Sequence, residues 1–154
     1  MVKNYLVAFA AGTLLLAGSA SAQEKKIKRS DLPSAVEKTV AAQSVGATIR
    51  GFSTEVEKGQ TLFEVEMTVS GHSKDISMTA DGSIVEVEEQ VVLDSLSAEV
   101  KAGLQAKAGK GKITKVESLT KKDKLVAYEA QVVTNGKKSE VQVGPDGKPL
   151  DHEE

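Results

Sequence analysis

Apolar and polar residues follow two periods along this chain, one helical and one typical of strands. Two triplets of apolar residues have a spacing of four, and the second lies 64 positions after the first: Leu32, Val36 and Val40, then Leu96, Val100 and Leu104. This spacing places the apolar side chains on one stripe of a helix. The chain therefore has two predicted amphipathic helices.

After each helix the period changes to two. Phe63, Val65, Met67 and Val69 alternate with polar residues, and the segment from Tyr128 to Val132 does the same. Such alternation predicts strands with one buried face. Ser70-Gly71 and Asn135-Gly136 follow these strands, and Asp81-Gly82 and Asp146-Gly147 come eleven residues later. Pairs of this kind favour tight hairpin turns, so each turn is predicted to lead into another strand.

The two halves match in order, which predicts an internal duplication. Beyond the helices the offset becomes 65, as in Phe63-Glu64 with Tyr128-Glu129 and Gly71 with Gly136. We place the one extra residue of the second copy in the loop after its helix. Each copy is predicted to be one helix followed by three or four antiparallel strands, with weaker strands around 47–56 and 113–119. Copies of about 60 residues are marginal alone, which favours one pseudo-symmetric unit.

The N-terminal segment has the pattern of a secretory signal. Lys3 precedes an apolar run from Tyr5 to Leu16, and small residues follow at Ala20, Ser21 and Ala22. The run is shorter than the roughly 20 residues that span a bilayer, so cleavage before Gln23 is predicted, with no membrane anchor afterwards. The predicted divisions are a signal peptide (1–22), a basic segment (23–29), repeat 1 (30–92) and repeat 2 (93–154).

Composition excludes several kinds of chemistry. The 154 residues include no cysteine, which rules out disulfides and thiolate sites. A formal charge of -2 argues against nucleic acid as a partner. The only histidines, His72 and His152, are interpreted as solvated surface residues. No phosphate loop, nucleophile elbow or zinc motif is present, so no catalytic, cofactor-binding or metal residue is predicted.

The charge is uneven along the chain: net +3 over 23–29, -7 over 30–92 and +1 over 93–154. Five acids of the first copy fall on predicted strands and form a candidate partner-binding acidic face: Glu64, Glu66, Asp75, Glu86 and Glu88. Acids at matching positions of the second copy are Glu129, Glu140, Asp151 and Glu153, whereas most lysines of that copy are placed in loops. The simplest interpretation is a solvated face that discourages aggregation. The alternatives are a platform for a basic partner, a weak site for a divalent cation and a carboxylate-based enzyme.

Three short stretches recur in order in both copies; in the first they are Leu32-Pro33-Ser34-Ala35-Val36, Phe63-Glu64-Val65, and Asp81-Gly82 with Ile84-Val85-Glu86-Val87. Together they resemble the PepSY-like family, including its group similar to β-lactamase inhibitor proteins. The resemblance implies an α+β fold of two tandem α-β-β-β(-β) repeats, in which the helices cover one face of an antiparallel sheet. The second copy departs from the pattern at Pro149, which suggests that its last strand is an edge strand or is frayed.

The resemblance also implies an exported protein that binds or inhibits a partner without catalytic machinery. We therefore expect a periplasmic or secreted, non-enzymatic module acting on a protein partner of the cell envelope. A carboxylate-based hydrolase and an envelope stress or structural accessory are the alternatives. Against the hydrolase, carboxylates on flat, solvated strands are expected to have nothing that raises a pKa. The sequence predicts neither the partner nor the oligomeric state.

Overall fold

The computed structural model describes residues 24–152 and residue 154, which form one antiparallel sheet and two α-helices. The helices are α1 (Ser34–Gln43) and α2 (Ala98–Ala108), and short 3-10 turns occur at Arg29–Asp31 and Leu93–Ser95. The strands are β1 (Lys25–Lys26), β2 (Thr48–Glu57), β3 (Gln60–Val69), β4 (His72–Met78), β5 (Ile84–Gln90), β6 (Lys112–Lys121), β7 (Lys124–Thr134) and β8 (Lys137–Val143). They lie in chain order, each antiparallel to the next. The α+β class and the single antiparallel sheet are as predicted.

Capping residues define both ends of α2, and a proline stands at the start of α1. Pro33 precedes α1, and the Ser97 hydroxyl accepts a hydrogen bond from the Val100 amide at the start of α2 (3.2 Å). Gly109 ends α2 with a φ of 58°. Leu32 and Leu96 stand just outside the helices but still pack against the core. The predicted stripe therefore runs into each helix from a leucine two residues before it.

The helices cover one face of the sheet through two apolar clusters. The first buries Val36, Val40, Val65, Met67, Ile76 and Met78. The second buries Val100, Leu104, Val116, Ala130, Val132 and Val143. Val65, Met67, Ala130 and Val132 are buried as the alternation predicts, whereas Val116 lies on the segment where the alternation is broken. Strands β5 and β6 join the halves through five register pairs, from Glu86 with Lys121 to Gln90 with Glu117.

Strands β2 and β6 are full ten-residue strands rather than the weak ones that the sequence indicates. The register shifts between Ile49 and Gly51 and again between Ile113 and Lys115. Each bulge interrupts the alternation of period two. This explains why the sequence pattern is broken where the strands themselves are long.

The extra residue of the second half does not lie in the loop after the helix, so that prediction is wrong. From helix start to strand start the halves span 34–47 and 98–111, which are equal lengths. The offset between the halves changes from 64 to 65 within β7, where Leu119 lies opposite Ala127 but Thr120 lies opposite Leu125. Val126 is therefore a bulge residue, and a strand accommodates the additional residue without changing the faces on either side.

The second Asp-Gly turn leads into no strand among the described residues, contrary to the prediction of another hairpin. Both turns close in the same way: the Thr79 amide donates to the Ser83 carbonyl (3.0 Å) and the Gly144 amide to the Lys148 carbonyl (2.8 Å). After the first turn, Ile84 pairs with Met78. The corresponding residue after the second turn is Pro149, which has no amide hydrogen for a ladder.

We call the side of the sheet opposite the helices the open face. Its residues have the strand parity opposite that of the apolar clusters. Several are nonetheless buried beneath their neighbours: Ser53, Leu62, Ser77, Glu117, Leu119, Ala127 and Gln142. Neither described helix is long and apolar enough to cross a membrane.

Candidate binding site on the open face of the sheet

The five predicted acids all lie on the open face, in three adjacent strands. Glu66 of β3 is opposite Asp75 of β4, and Asp75 is opposite Glu88 of β5. Glu64 and Glu86 flank Ser77 in the same way. Cross-strand neighbours on one face have β-carbons about 5 Å apart, so like charges placed there repel each other. The register therefore gathers the five carboxylates into one patch.

Two cationic side chains cross this patch. The bulge in β2 brings Arg50 onto the open face, where its guanidinium is 2.9 Å from the Asp75 carboxylate and 3.7 Å from that of Glu66. Lys121, the last residue of β6, lies 3.2 Å from Glu86. Neither residue was among the predicted site residues. Their ion pairs offset part of the repulsion within the patch.

Glu117 of β6 is the acid that the sequence analysis missed. Its side chain is only 4% exposed, forms an ion pair with Lys115 and accepts a hydrogen bond from the Ser73 hydroxyl (3.2 Å). Glu117 lies opposite Glu129 in β7 and Gln90 in β5. A signal was present, because Lys115, Glu117, Leu119 and Lys121 alternate along one face once the bulge at Thr114 is taken into account.

Three of these acids converge closely enough to hold a cation. Carboxylate oxygens of Asp75, Glu88 and Glu117 all lie within 4.8 Å of one another. Hard divalent cations prefer such oxygen ligands, and calcium takes six to eight of them. Lys115 pairs with Glu117, and its charge together with that of Arg50 offsets part of the rise that burial causes in the pKa of Asp75, so an ammonium group already supplies positive charge there.

Burial and crowding raise the pKa of several of these groups. The pKa of Glu88 is raised to about 9, first by burial and then by the charge of Glu86. The pKa of Glu64 is raised to about 7 by burial and by Asp75. Burial also raises the pKa values of Asp75 and Glu129. The expectation that nothing on this face raises a pKa is therefore wrong, because the carboxylates are half-buried rather than flatly solvated.

The C-terminal end of the chain reaches the same face. The Gln142 amide donates to Glu129 (2.8 Å), and the Glu154 backbone amide donates to the Gln142 side-chain oxygen (2.9 Å). The Glu154 carboxylate also lies 3.6 Å from Lys121. The open face thus continues across β7 and β8 as a polar network.

The other predicted positions have mixed outcomes. Glu129 and Glu140 lie on strands β7 and β8, whereas Asp151 lies beyond the last strand and Glu153 is outside the described residues. Of the lysines assigned to loops, only Lys122 is in a turn; the others lie in β6, β7 and β8: Lys121, Lys124, Lys137 and Lys138. Both histidines are exposed, His72 at the start of β4 and His152 near the C-terminus.

Four surface cavities of about 140 to 440 Å³ lie on the described part of the chain. The largest is between α2 and the loop after β8, and is lined by Gly103, Ala106, Lys107, Val143, Gly147, Lys148 and Pro149. None of the four is lined by Glu64, Asp75, Glu86 or Glu88. The raised-pKa carboxylates therefore form a surface patch outside these cavities.

The fold occurs in solved structures of Bacteroides proteins. A Bacteroides eggerthii protein, provisionally named as periplasmic, aligns with a TM-score of 0.62 and 18% identity over 77% of this chain and 86% of its own. A DUF2874 family protein from Bacteroides ovatus aligns with a TM-score of 0.59 and 16% identity over 78% of this chain and 85% of its own. A BLIP-like protein from Bacteroides fragilis aligns with a TM-score of 0.54 and 18% identity over 75% of this chain and 81% of its own. No protein-family model matches the chain, and no curated protein matches it significantly. At such identities the likeness defines the fold, a BLIP-like α+β fold, and leaves function to the site.

Proposed function

We propose that this protein is a non-enzymatic binding module of the cell envelope whose open face captures a basic segment of a partner protein. The observation that carries the proposal is the half-buried carboxylate patch. Seven acids gather there, Glu64, Glu66, Asp75, Glu86, Glu88, Glu117 and Glu129, and three cationic side chains contact them, Arg50, Lys115 and Lys121. Glu88, with a pKa of about 9, is neutral at pH 7, so the other acids supply the negative potential that attracts cationic partners and speeds their association.

The carboxylates form a broad surface rather than an enclosed reaction site. A protein segment lying across strands β3, β4 and β5 would contact several acids at once, whereas a small substrate needs a pocket that removes it from water. The mature chain also offers few aromatic anchors, since Phe52, Phe63 and Tyr128 all pack with the apolar clusters. Recognition on this face would therefore rest on charge.

The test replaces Glu64, Glu66, Glu86 and Glu88 with Gln and measures binding of a synthetic lysine-rich peptide. We expect the fold to remain intact and the association rate to fall, with the loss greatest at low salt. The matched control removes four exposed acids from elsewhere: Glu89→Gln, Asp94→Asn, Glu99→Gln and Asp123→Asn. Equal binding by the parent and the four-Gln variant would reject the open face as the site.

A divalent cation is the second candidate ligand, supported by the convergence of Asp75, Glu88 and Glu117. Calcium titration of the parent and of Glu88→Gln separates the two proposals. A cation site predicts heat of binding that is lost in Glu88→Gln. A protein-binding face predicts that the lysine-rich peptide binds in the absence of calcium.

The hydrolase alternative draws support from the raised pKa of Glu88 beside Asp75, because a general acid must hold its proton near neutral pH. Screening of esterase, glycosidase and peptidase substrates with the parent and Glu88→Gln tests it. Turnover that disappears in Glu88→Gln would replace the binding proposal with a catalytic one.

The envelope location is supported by the predicted signal, which lies outside the described residues, and by the periplasmic name of one structural neighbour. N-terminal sequencing of exported material should give Gln23 as the first residue. Intact Met1 in the membrane fraction would contradict the location. The BLIP-like name of another neighbour extends the proposal to inhibition of the bound partner.

The tandem-repeat organisation, with copies at 30–92 and 93–154, is also part of the proposal. It is supported by corresponding contacts in the two halves. Gly82 approaches the backbone of Ala35, and Gly147 approaches that of Glu99, which is 64 residues after Ala35. The Asp-Gly turn of each half therefore rests on the first turn of its helix, as expected for two copies of one unit.

A further inference from the structure

Strand β8 is an edge whose outer side is unpaired among the described residues. The sheet order ends at β8, which pairs only with β7. In the first half, the corresponding strand β4 has β5 on that side. An exposed edge of this kind is a template for another antiparallel strand.

The register shows which backbone groups of β8 point outward. Thr134 and Lys137 flank the two-residue turn Asn135-Gly136 and so form a hydrogen-bonded pair. Alternation from there directs the N–H and C=O groups of Lys138, Glu140 and Gln142 away from β7. The same count on β2 directs the backbone groups of Phe52 away from β3, and its carbonyl accepts a hydrogen bond from the Ile27 amide, just after β1 (3.0 Å).

The side chains on this outward row are self-complementary in charge. Lys138 and Glu140 are two positions apart, lie on the same face and are exposed. Neither forms an ion pair within the described part of the chain. A two-fold axis through Ser139 would place Lys138 of one copy opposite Glu140 of the other, twice. The same axis pairs the outward backbone groups with each other.

We propose that two copies of this protein associate through antiparallel pairing of their β8 strands. The chain already uses this chemistry at its internal joint, where antiparallel β5 and β6 place Glu86 opposite Lys121 with an ion pair of 3.2 Å. The dimer would extend the sheet across both copies, with their open faces on the same side. A short edge contact without a large apolar area gives weak, concentration-dependent association.

Sedimentation of the purified protein over a range from micromolar to millimolar concentration tests the proposal. Lys138→Glu and Glu140→Lys each create two like-charge pairs and should weaken dimerisation by roughly tenfold. The double variant exchanges the charges and should restore it to within about threefold of the parent. Lys137→Glu is the control, because it makes the same charge change at a position whose backbone groups face β7.

Amide exchange gives a second readout that does not depend on substitutions. Protection of Lys138 and Glu140 should increase with protein concentration, while Ser139 and Val141 should already be protected by β7. A parent that stays monomeric at 1 mM, a double variant that is not rescued, or equal damage from Lys137→Glu would each overturn the proposal.

Discussion

Gly82 lies directly against the backbone of Ala35, so that a β-carbon at position 82 would stand 2.6 Å from the Ala35 carbonyl oxygen. The Thr39 hydroxyl completes the contact by donating to the Gly82 carbonyl (2.8 Å). Gly82 also has a φ of 81°, a conformation that side chains rarely adopt. Because Gly82 has no side chain, the turn between β4 and β5 packs directly against helix α1.

The first prediction concerns these turn glycines. Gly82→Ala and Gly147→Ala should each lower the free energy of unfolding by about 2 to 4 kcal/mol, because strain at positive φ adds to a clash with helix backbone. Gly59→Ala is the control: its φ is 82°, but nothing lies within 4 Å of the added β-carbon. Gly59→Ala should lower the free energy of unfolding by only about 1 kcal/mol. Urea denaturation measures all three, and equal losses would show that the close approach to the helices is unimportant.

The second prediction is that Glu88→Gln stabilises the protein. The pKa of Glu88 is about 9 in the folded chain and 4.5 in its ordinary state, so the folded state holds this proton more tightly. Its contribution to stability therefore falls as the pH rises from 4.5 to 9. At pH 7 the variant should be more stable than the parent by about 1 to 3 kcal/mol, and the difference should vanish near pH 4.5.

The control for Glu88→Gln is Glu89→Gln, which removes the neighbouring charge from an exposed side chain. Glu89→Gln should change the free energy of unfolding by no more than about 0.5 kcal/mol at pH 4.5 and at pH 7. Thermal or urea unfolding at pH 4.5 and pH 7 gives the comparison. A destabilised Glu88→Gln variant at pH 7 would mean that the ionised carboxylate is held by favourable contacts instead.

The third prediction links binding to protons. Glu64, with a pKa of about 7, faces the acids Asp75, Glu24, Glu66 and Glu55. A cationic peptide favours the ionised form, so its binding should release protons near neutral pH. Affinity for a lysine-rich peptide should rise roughly 3- to 10-fold from pH 6 to pH 8. Calorimetry in two buffers of different ionisation enthalpy measures the protons released, and Glu64→Gln should flatten the dependence.

The fourth prediction is that the two halves unfold together. Val100 is 1% exposed, so Val100→Asp buries an unpaired charge in the second cluster and should cost more than about 4 kcal/mol. Because β5 and β6 join the halves in one sheet, amides of β3 should lose protection along with those of β7. Val45→Asp, at a residue 84% exposed, is the control. Retained protection of β3 would show independent domains.

The fold was largely predictable because the alternation in Phe63, Val65 and Met67, and the four-residue spacing around Val36 and Val100, report burial directly. The bulges were not predictable in this way. Val126 and Arg50 shift the register without a change in composition, and only pairing with the neighbouring strand reveals them. Glu117 was missed for the same reason. The bulge at Thr114 hides the alternation that places Glu117 on the open face beside Lys115, and only the fold brings Ser73 to its carboxylate.

The cations held on the open face make this surface behave like an ion-exchange resin that is already loaded. Arg50 occupies Asp75 and Glu66, Lys115 occupies Glu117, and Lys121 occupies Glu86. An arriving lysine gains only the difference between its own contacts and those it displaces. If the open face captures basic segments as proposed, exchange of this kind favours rapid capture and rapid release over a long-lived complex.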